Sequence, residues 1–574
     1  MNTDERQGGL AGRRAVAFAV TVALLAVVAY WPSFQVPFFL DDFRTLLENP
    51  MLQNAFDPAA VWRFSEPRFI ASWTLAANYT VHGEALLGYH VVNFAIHLIA
   101  GGALFSFVRA LLVSPALAGG GEAGWRRWVP WIALALFLLH PVQTQAVTYI
   151  VQRYTSLMAM FYLLTLALFA WGRIRGSIPL LLASLATLLL AALSKQTAAT
   201  LPVALLLVEL LFFRRLSARV WTATAMAALI AAVGLFFMLH WPPLDLLGLT
   251  RETDQVSRLD YLATQMEVLW RYIGLVFFVG EQRLEYALPF ADGFSEPGAM
   301  LLALGHVAVL GIVASLWRRL PLVAFGVLFY YLAHAIESSI FPIIDEAFEH
   351  RTYLPNAGLF VAAAVGLAWL VGHWTRFRAG ALVAGAVILT LTGASYARNA
   401  LWSDRIAFLE RETRLSPESQ RAWTSLGKEL MRARRFEAAL EALREAERIA
   451  IEEDGMLRPP TILNMIFALH YTGQHQEAVR RADATPLEPF NETERAFFFE
   501  ARGRAHLELG QLNAAQADLE RSARLNPTPN AIAFLAETER RLGNADRAQQ
   551  LARSVLEASP DHPLARRILR RTSP

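Results

Sequence analysis

Through residue 400 the chain alternates long apolar runs with short polar connections; beyond it, apolar positions recur every three or four residues among charged ones. The apolar runs lie near 15–32, 90–112, 128–141, 152–172, 177–194, 197–213, 220–241, 299–316, 320–336, 354–372 and 381–397. Most approach the roughly 17–25 residues that carry a helix through hydrocarbon. The pattern predicts an all-α protein, with a polytopic bundle of about eleven membrane spans over 1–400 and a helical domain over 401–574. Ala15–Trp31 is long for a signal-peptide core and lacks a small-x-small cleavage site, so it reads as a retained first span. Tyr261–Gly280 is apolar enough to suggest another span, but a crossing there would reverse every later connection, so it reads as an interfacial or re-entrant helix.

The C-terminal pattern is a repeat. Ala439, Ala478, Ala515 and Ala548 lie 39, 37 and 33 residues apart. Trp423, Leu426 and Gly427 precede the first, and Phe499 and Gly503 the third. Small residues at such offsets let paired helices approach closely, and a period near 34 is that of tetratricopeptide (TPR) repeats. About four repeats over 405–570 make an α-solenoid whose concave face suits a protein partner, although a structural cap or dimerisation module would look the same.

Charge separates the halves again. Residues 401–574 hold 26 basic and 26 acidic side chains, against 26 and 23 in the first 400. A net charge of +3 and the absence of a basic stripe interleaved with aromatics argue against nucleic acid. The chain has no cysteine, which excludes disulfides and thiolate chemistry. In the membrane half, every second connection is basic: 15 arginines, among them Arg13, Arg14, Arg126, Arg127, Arg173, Arg175, Arg318 and Arg319, face only four acidic residues. The opposite side carries 11 basic and 19 acidic residues. By the positive-inside rule the N-terminus is cytoplasmic, and the repeats lie outside with the connections 33–89, 242–298 and 337–353.

Those outer connections hold the candidate chemistry. Asp41 and Asp42 follow the first span, and neighbouring carboxylates raise one another's pKa, as a general base requires. The alternative is a solvated pair capping a short helix over 41–48. His140, Gln143, Gln152 and Arg153 lie around the third outer connection, Lys195 (one of two lysines) between the fifth and sixth runs, and His350, Arg351 and Tyr353 before the tenth. Arg153, Lys195 and Arg351 would meet an anionic head group at the outer face; the alternative for each is snorkelling to the interface. His82, His90 and His97 lack carboxylates at ligand spacing and read as packed histidines, so no metal site is expected. Asn78-Tyr79-Thr80 has the form of a glycosylation acceptor.

Five stretches, in order, resemble a known family: FLDDFRTLLEN at 39–49, RFIASWTLAANYTVHGEALLGYHVVN at 68–93, HPVQTQAVTYIVQRYTSL at 140–157, SKQTAATLP at 194–202 and EHRTYLPNAG at 349–358. They resemble the transmembrane-and-TPR O-mannosyltransferases, C-type glycosyltransferases related to protein O-mannosyltransferases. Gln145 and Gln196 stand where many relatives carry acidic residues. The resemblance implies Asp41-Asp42 as the catalytic element and transfer of a sugar from a polyprenyl phosphate on the non-cytoplasmic side. On that reading Asp41 takes the proton of an acceptor hydroxyl, Asp42 orients or tunes it (the roles are exchangeable), and the displacement inverts the sugar. Arg153, Lys195 and Arg351 would offset the leaving phosphate without a divalent metal; no cofactor is required, because the lipid-linked sugar is a substrate. The acceptor is expected to be a protein held by the repeats. The Arg-rich, Ala-rich composition points to a bacterial inner membrane with a periplasmic repeat domain. An oligosaccharide ligase using a lipid diphosphate, and a non-enzymatic membrane scaffold, are the other readings.

Overall fold

A computed structural model describes residues 3–118, 124–213, 256–280, 282–286, 288–343, 345–373, 377–453 and 457–572. The described residues are helical, with one isolated β-bridge between Tyr286 and Ala347. The chain divides into two compact units, residues 1–405 and 406–574; the sequence placed the boundary at 400/401.

In the first unit six helices are long and apolar enough to cross a membrane: Val16–Gln35, Leu86–Leu112, Ile150–Arg175, Gln196–Phe213, Pro297–Leu316 and Pro355–Gly372. The bent pair Arg126–Leu139 and Pro141–Thr148 counts as a seventh. Ile178–Ala192 and Pro321–His334 are shorter apolar helices, and Phe377–Leu401 contains the last expected run. The expected run at 220–241 lies outside the described residues. By length and composition the described helices thus support six or seven crossings, fewer than the eleven expected.

The third run does not continue straight. Its helix stops at Leu139, His140 adopts an extended conformation, and the chain bends by 55°. Pro141 explains this: proline disfavours helical geometry in the residue before it and supplies no N–H of its own. The break lets residues 141–152 form three short helical turns before the Arg153–Arg175 helix. Arg258–Phe277, expected to be interfacial or re-entrant, is a continuous helix with four charged residues, capped by Ser257. It is stitched to the 337–348 connection: Tyr261 donates to the Glu337 carbonyl (2.8 Å), Gln265 to that of Glu346 (3.1 Å) and Tyr272 to that of Phe348 (3.0 Å).

One helix crossing is unusually close. A methyl group on Gly326 would meet the Gly358 carbonyl oxygen at 2.4 Å, and one on Gly358 would meet the Gly326 oxygen at 2.4 Å. The Pro321–His334 and Pro355–His373 helices therefore touch backbone to backbone, as paired glycines allow in membrane bundles. Three of the basic connections share a second device: Arg126, Arg127, Arg175 and Arg318 sit over the rings of Trp125, Trp128, Trp171 and Trp317 at 5.8, 5.6, 4.7 and 5.1 Å. Among them, Arg173 pairs with Glu209 at 2.6 Å.

The second unit contains the expected helix pairs: Gln420–Arg432 with Phe436–Glu453, Pro459–Tyr471 with His475–Asp483, Glu492–Glu508 with Leu512–Leu525, and Pro529–Arg541 with Ala545–Ala558. Ala439, Ala478, Ala515 and Ala548 are all fully buried. A methyl on Gly427 would meet Leu443 at 2.6 Å and one on Gly503 would meet Leu519 at 2.8 Å, so the glycines mark where paired helices press together.

A backbone carbonyl cannot retreat as a leucine side chain can. Gly358→Ala should therefore lower the unfolding midpoint of the purified protein more than Gly427→Ala, with overpacking of about 1–3 kcal/mol at Gly358. Equal midpoints for the two variants would contradict the close crossing.

Candidate functional site

Leu40 has a φ of +34°, in the left-handed region that side-chain-bearing residues rarely adopt. A tight turn holds it there. Asp42 donates its N–H to the Phe39 carbonyl, and Phe39 donates its own to Asp42 Oδ2, both at 2.8 Å. The other oxygen, Oδ1, accepts from the Val151 N–H at 2.8 Å, across 109 positions of chain. Asp42 is 1% exposed and makes no side-chain bond to the short helical turn at 43–47, so it is not a helix cap. Burial, with a smaller push from Asp41, raises its carboxyl to about 8 despite the two N–H donors. Asp41 differs: it is exposed, and its N–H is held by the Tyr149 hydroxyl at 2.8 Å. The adjacent carboxylates thus sit in unlike environments, Asp42 as anchor and Asp41 at the surface.

Arg153 does not offer a cation to a ligand. It is wholly buried, and its guanidinium donates to Asn93 Oδ1 at 2.6 Å and to the carbonyls of Thr74 and Tyr89 at 3.0 and 3.1 Å. This corrects its assignment to the phosphate: its hydrogen bonds go to two neighbouring helices, Phe69–His82 and Leu86–Leu112. Lys195 and Arg351 are also nearly buried, each 6% exposed, but they face a carboxylate, Glu337. Lys195 Nζ lies 2.7 Å from Glu337 Oε1 and 3.0 Å from Thr155 Oγ1. Burial pushes the Glu337 carboxyl up, but Lys195 and Arg351 outweigh it and hold the group below its ordinary value. Burial, in turn, pulls the Lys195 ammonium down, and the charges of Arg68 and Arg351 add to the effect. The electrostatic unit is therefore Lys195 and Arg351 around Glu337, with Arg68 acting on Lys195 and Asp345 on Arg351. Snorkelling does not describe it. Arg68 also lies over the Tyr154 ring at 5.6 Å and donates to Gln196 at 3.1 Å.

One short stretch of chain links acid pair and cations. Val151 holds Asp42, and Gln152 Oε1 accepts from Thr155 Oγ1 at 3.2 Å; that same hydroxyl receives the Lys195 ammonium. The Pro141 break, which starts the turns at 141–152, is thus the local cause of the arrangement.

The remaining candidates divide. His140, Gln143 and Tyr353 are buried packing residues rather than pocket residues. His140 Nε2 donates to the Val276 carbonyl at 3.0 Å, Gln143 Nε2 to that of Tyr353 at 3.2 Å, and the Tyr353 hydroxyl meets His97 Nδ1 at 2.7 Å. Gln152 and His350 are half-buried, and His350 stacks on Phe348 and donates its N–H to Gln145 at 2.6 Å. Gln145 is therefore a structural amide, its Nε2 donating to the Leu284 carbonyl at 2.9 Å. His90 and His97 use ring nitrogens on the carbonyls of Val36 and Leu138. Asn78 is buried, 5% exposed, which withholds it from glycosylation. Among the described residues there is no group of three or more histidine and carboxylate side chains placed for a metal ion.

Sequence reasoning missed Arg68, Glu337, Glu349 and Tyr149. Glu349 is fully buried; it accepts from the Arg283 N–H at 2.5 Å and the Tyr286 hydroxyl at 2.8 Å, with Arg398 at 3.5 Å. The signal that could have found Glu337 is a lone carboxylate at the outer end of an apolar helix, on the face expected to hold three cations.

The family model described as a tetratricopeptide repeat matches residues 499–529. A protein O-mannosyl-transferase of Caenorhabditis elegans, F38B6.6, is 23% identical over 427 residues, covering 71% of this chain and 59% of its own. The protein O-mannosyl-transferase Tmtc1 of Drosophila melanogaster is 31% identical over 217 residues, 33% of this chain and 21% of that one. Both relatives are named protein O-mannosyl-transferases. It spans about three fifths of the worm relative's length and about a fifth of the fly relative's. A chain in the crystal structure of the APC/C hetero-tetramer Cut9-Hcn1 aligns over 91% of this one and 92% of its own, at 14% identity and a TM-score of 0.28, too low to support an argument.

Because both Asp42 oxygens face N–H donors, Asp42→Asn presents an amide N–H₂ to one of them and should cost about 1–3 kcal/mol of stability. The raised carboxyl fixes the sign of the pH dependence. Its contribution is fully present below the ordinary carboxylate value near 3.8 and is lost as pH rises through about 8. The wild-type unfolding midpoint should therefore fall from about pH 4 to about pH 8, and Asp42→Asn should start lower and flatten that fall. A wild-type midpoint that rises over this range would refute the assignment.

Proposed function

We propose that the chain is a glycosyltransferase of the C type that moves a sugar from a polyprenyl-phosphate donor to a hydroxyl, on a protein, by inverting displacement. The observation that carries this reading is the exposed Asp41, held by a buried partner and joined through 151–155 to a cluster of three cations. In the reaction, Asp41 takes the proton of the acceptor hydroxyl as that oxygen bonds to the anomeric carbon. The bond from that carbon to the phosphate oxygen breaks, and its electron pair leaves with the lipid phosphate. Lys195, Arg351 and Arg68 stabilise the charge that develops there. Asp42 fixes the turn that presents Asp41, a positioning role. No cofactor or metal is required. The two sequence relatives named protein O-mannosyl-transferases support a protein acceptor, and the repeats supply the surface to engage it.

We assign the site to the extracytoplasmic face of a bacterial inner membrane, with the N-terminus cytoplasmic and the repeats periplasmic. The arginine-over-tryptophan pairs support this orientation, since both residue types favour the interface and arginine the cytoplasmic side. A chain without cysteine makes the test direct. In intact cells an impermeant maleimide should label Glu48→Cys and spare Arg319→Cys; the reverse pattern would overturn the orientation.

Activity is tested by offering the purified protein defined polyprenyl-phosphate and polyprenyl-diphosphate sugars. Transfer from the monophosphate donor, reduced about 10²–10⁴-fold by Asp41→Asn, is the expected outcome. Transfer from the diphosphate alone would favour a ligase, full turnover by a folded Asp41→Asn would remove the base, and no transfer from either donor would favour a scaffold.

A further inference from the structure

Three cations and two carboxylates make an incomplete set. Lys195 and Arg351 are nearly buried and Arg68 is half-buried; Glu337 acts on Lys195 and Arg351, and Asp345 on Arg351, which leaves one positive charge over. Buried cations are costly unless their charge is matched. An anion arriving from outside completes the set, which is why the cluster suits a phosphate. Glu337 is not neutral in that event. Its Oε1 holds Lys195 Nζ at 2.7 Å, so any phosphate bound by Lys195 lies within a few ångströms of a carboxylate. Thr155 Oγ1 takes another position around the ammonium, at 3.0 Å, leaving limited room for a third partner.

The substrate and product of the proposed reaction differ in charge. A sugar linked through phosphate to a prenol is a phosphodiester with one negative charge. The lipid phosphate left after transfer is a monoester, whose second ionisation lies near pH 6 and which carries about −1.5 to −2 at neutral pH. Three cations alone would hold the more highly charged product more tightly and slow its departure. A carboxylate fixed beside the phosphate repels the extra charge and narrows that preference.

We propose that Glu337 is a specificity residue, which sets the phosphate charge the cluster accepts, balancing the monoanionic donor against the dianionic product and speeding release of the spent lipid. This rests on the phosphate reading of the cluster given above. Glu337 touches Lys195 rather than the reacting atoms, and its connection to the Arg258–Phe277 helix, through its own carbonyl and Tyr261, keeps it in place. The Gly326–Gly358 crossing holds together the helix that precedes Glu337 and the helix that follows Arg351.

The test compares binding of a short-chain polyprenyl phosphate with that of its methyl diester, by calorimetry on the full chain in detergent. In Glu337→Gln the affinity for the monoester should rise about tenfold more than that for the diester, the scale of one removed charge repulsion at a partly screened site. Glu337→Asp, which keeps the charge, should retain the wild-type ratio. A ratio unchanged in folded Glu337→Gln overturns the role of Glu337 while leaving the phosphate site intact. Absence of binding by either probe to wild type and variant overturns the phosphate reading as well. If Glu337→Gln does not fold, wild type decides alone: between pH 5 and 7.5 the monoester gains a charge, and its affinity relative to the diester should change less than threefold. A tenfold rise would overturn the proposal.

Discussion

A charge inside an apolar helix bundle must be met by protein groups, because the surroundings hold no water to solvate it. Arg153 is the point from which the first unit is arranged. Its guanidinium reaches Asn93 and Tyr89 on one helix and the Thr74 carbonyl within another. Asn93 also donates to the carbonyls of Val147 and Ile150, so the same amide secures the short turns on the other side. Those turns carry Tyr149 and Val151, which grip the backbone of Asp41 and the carboxylate of Asp42. The acid pair depends on the arginine without touching it.

The two halves of the candidate site therefore follow different electrostatic rules. Asp42 is buried against backbone dipoles, which stabilise an anion only in part. Lys195 pairs with Glu337, Arg351 lies in the field of Glu337 and Asp345, and Arg68 acts on Lys195. The first arrangement fixes a turn; the second gathers charge. A mixture of the two in one bundle explains why residues that look alike in the sequence, such as Arg153 and Arg351, serve unlike ends.

Much of the architecture was legible because it is written in period and composition. The repeats appeared through alanines whose burial the structure repeats one by one, and ten of the eleven apolar runs fall on described helices. The count of full crossings was not legible: Ile178–Ala192 and Pro321–His334 are short, and the bend at Pro141 follows from one residue inside an otherwise uniform run. At the site, Asp41 and Asp42 stood out as neighbours, but their division into surface and anchor depends on Val151, 109 positions away. His140, Gln143 and Tyr353 looked like ligand contacts because they are polar and flank apolar helices; each instead satisfies a buried carbonyl or ring nitrogen. Glu337 was missed because a single carboxylate has no pattern until its cations are assembled.

Asn399, near the end of the last apolar helix, bonds both Thr148 and the carbonyl of Ala29 in the first helix. One amide thus joins residues 29, 148 and 399. As the chain leaves the ribosome, this knot cannot be tied until almost the whole membrane unit has been made. The turn bearing the acid pair is emitted early and can close once Tyr149 and Val151 follow it. The tie from the first helix to the last closes only as synthesis of the repeats begins.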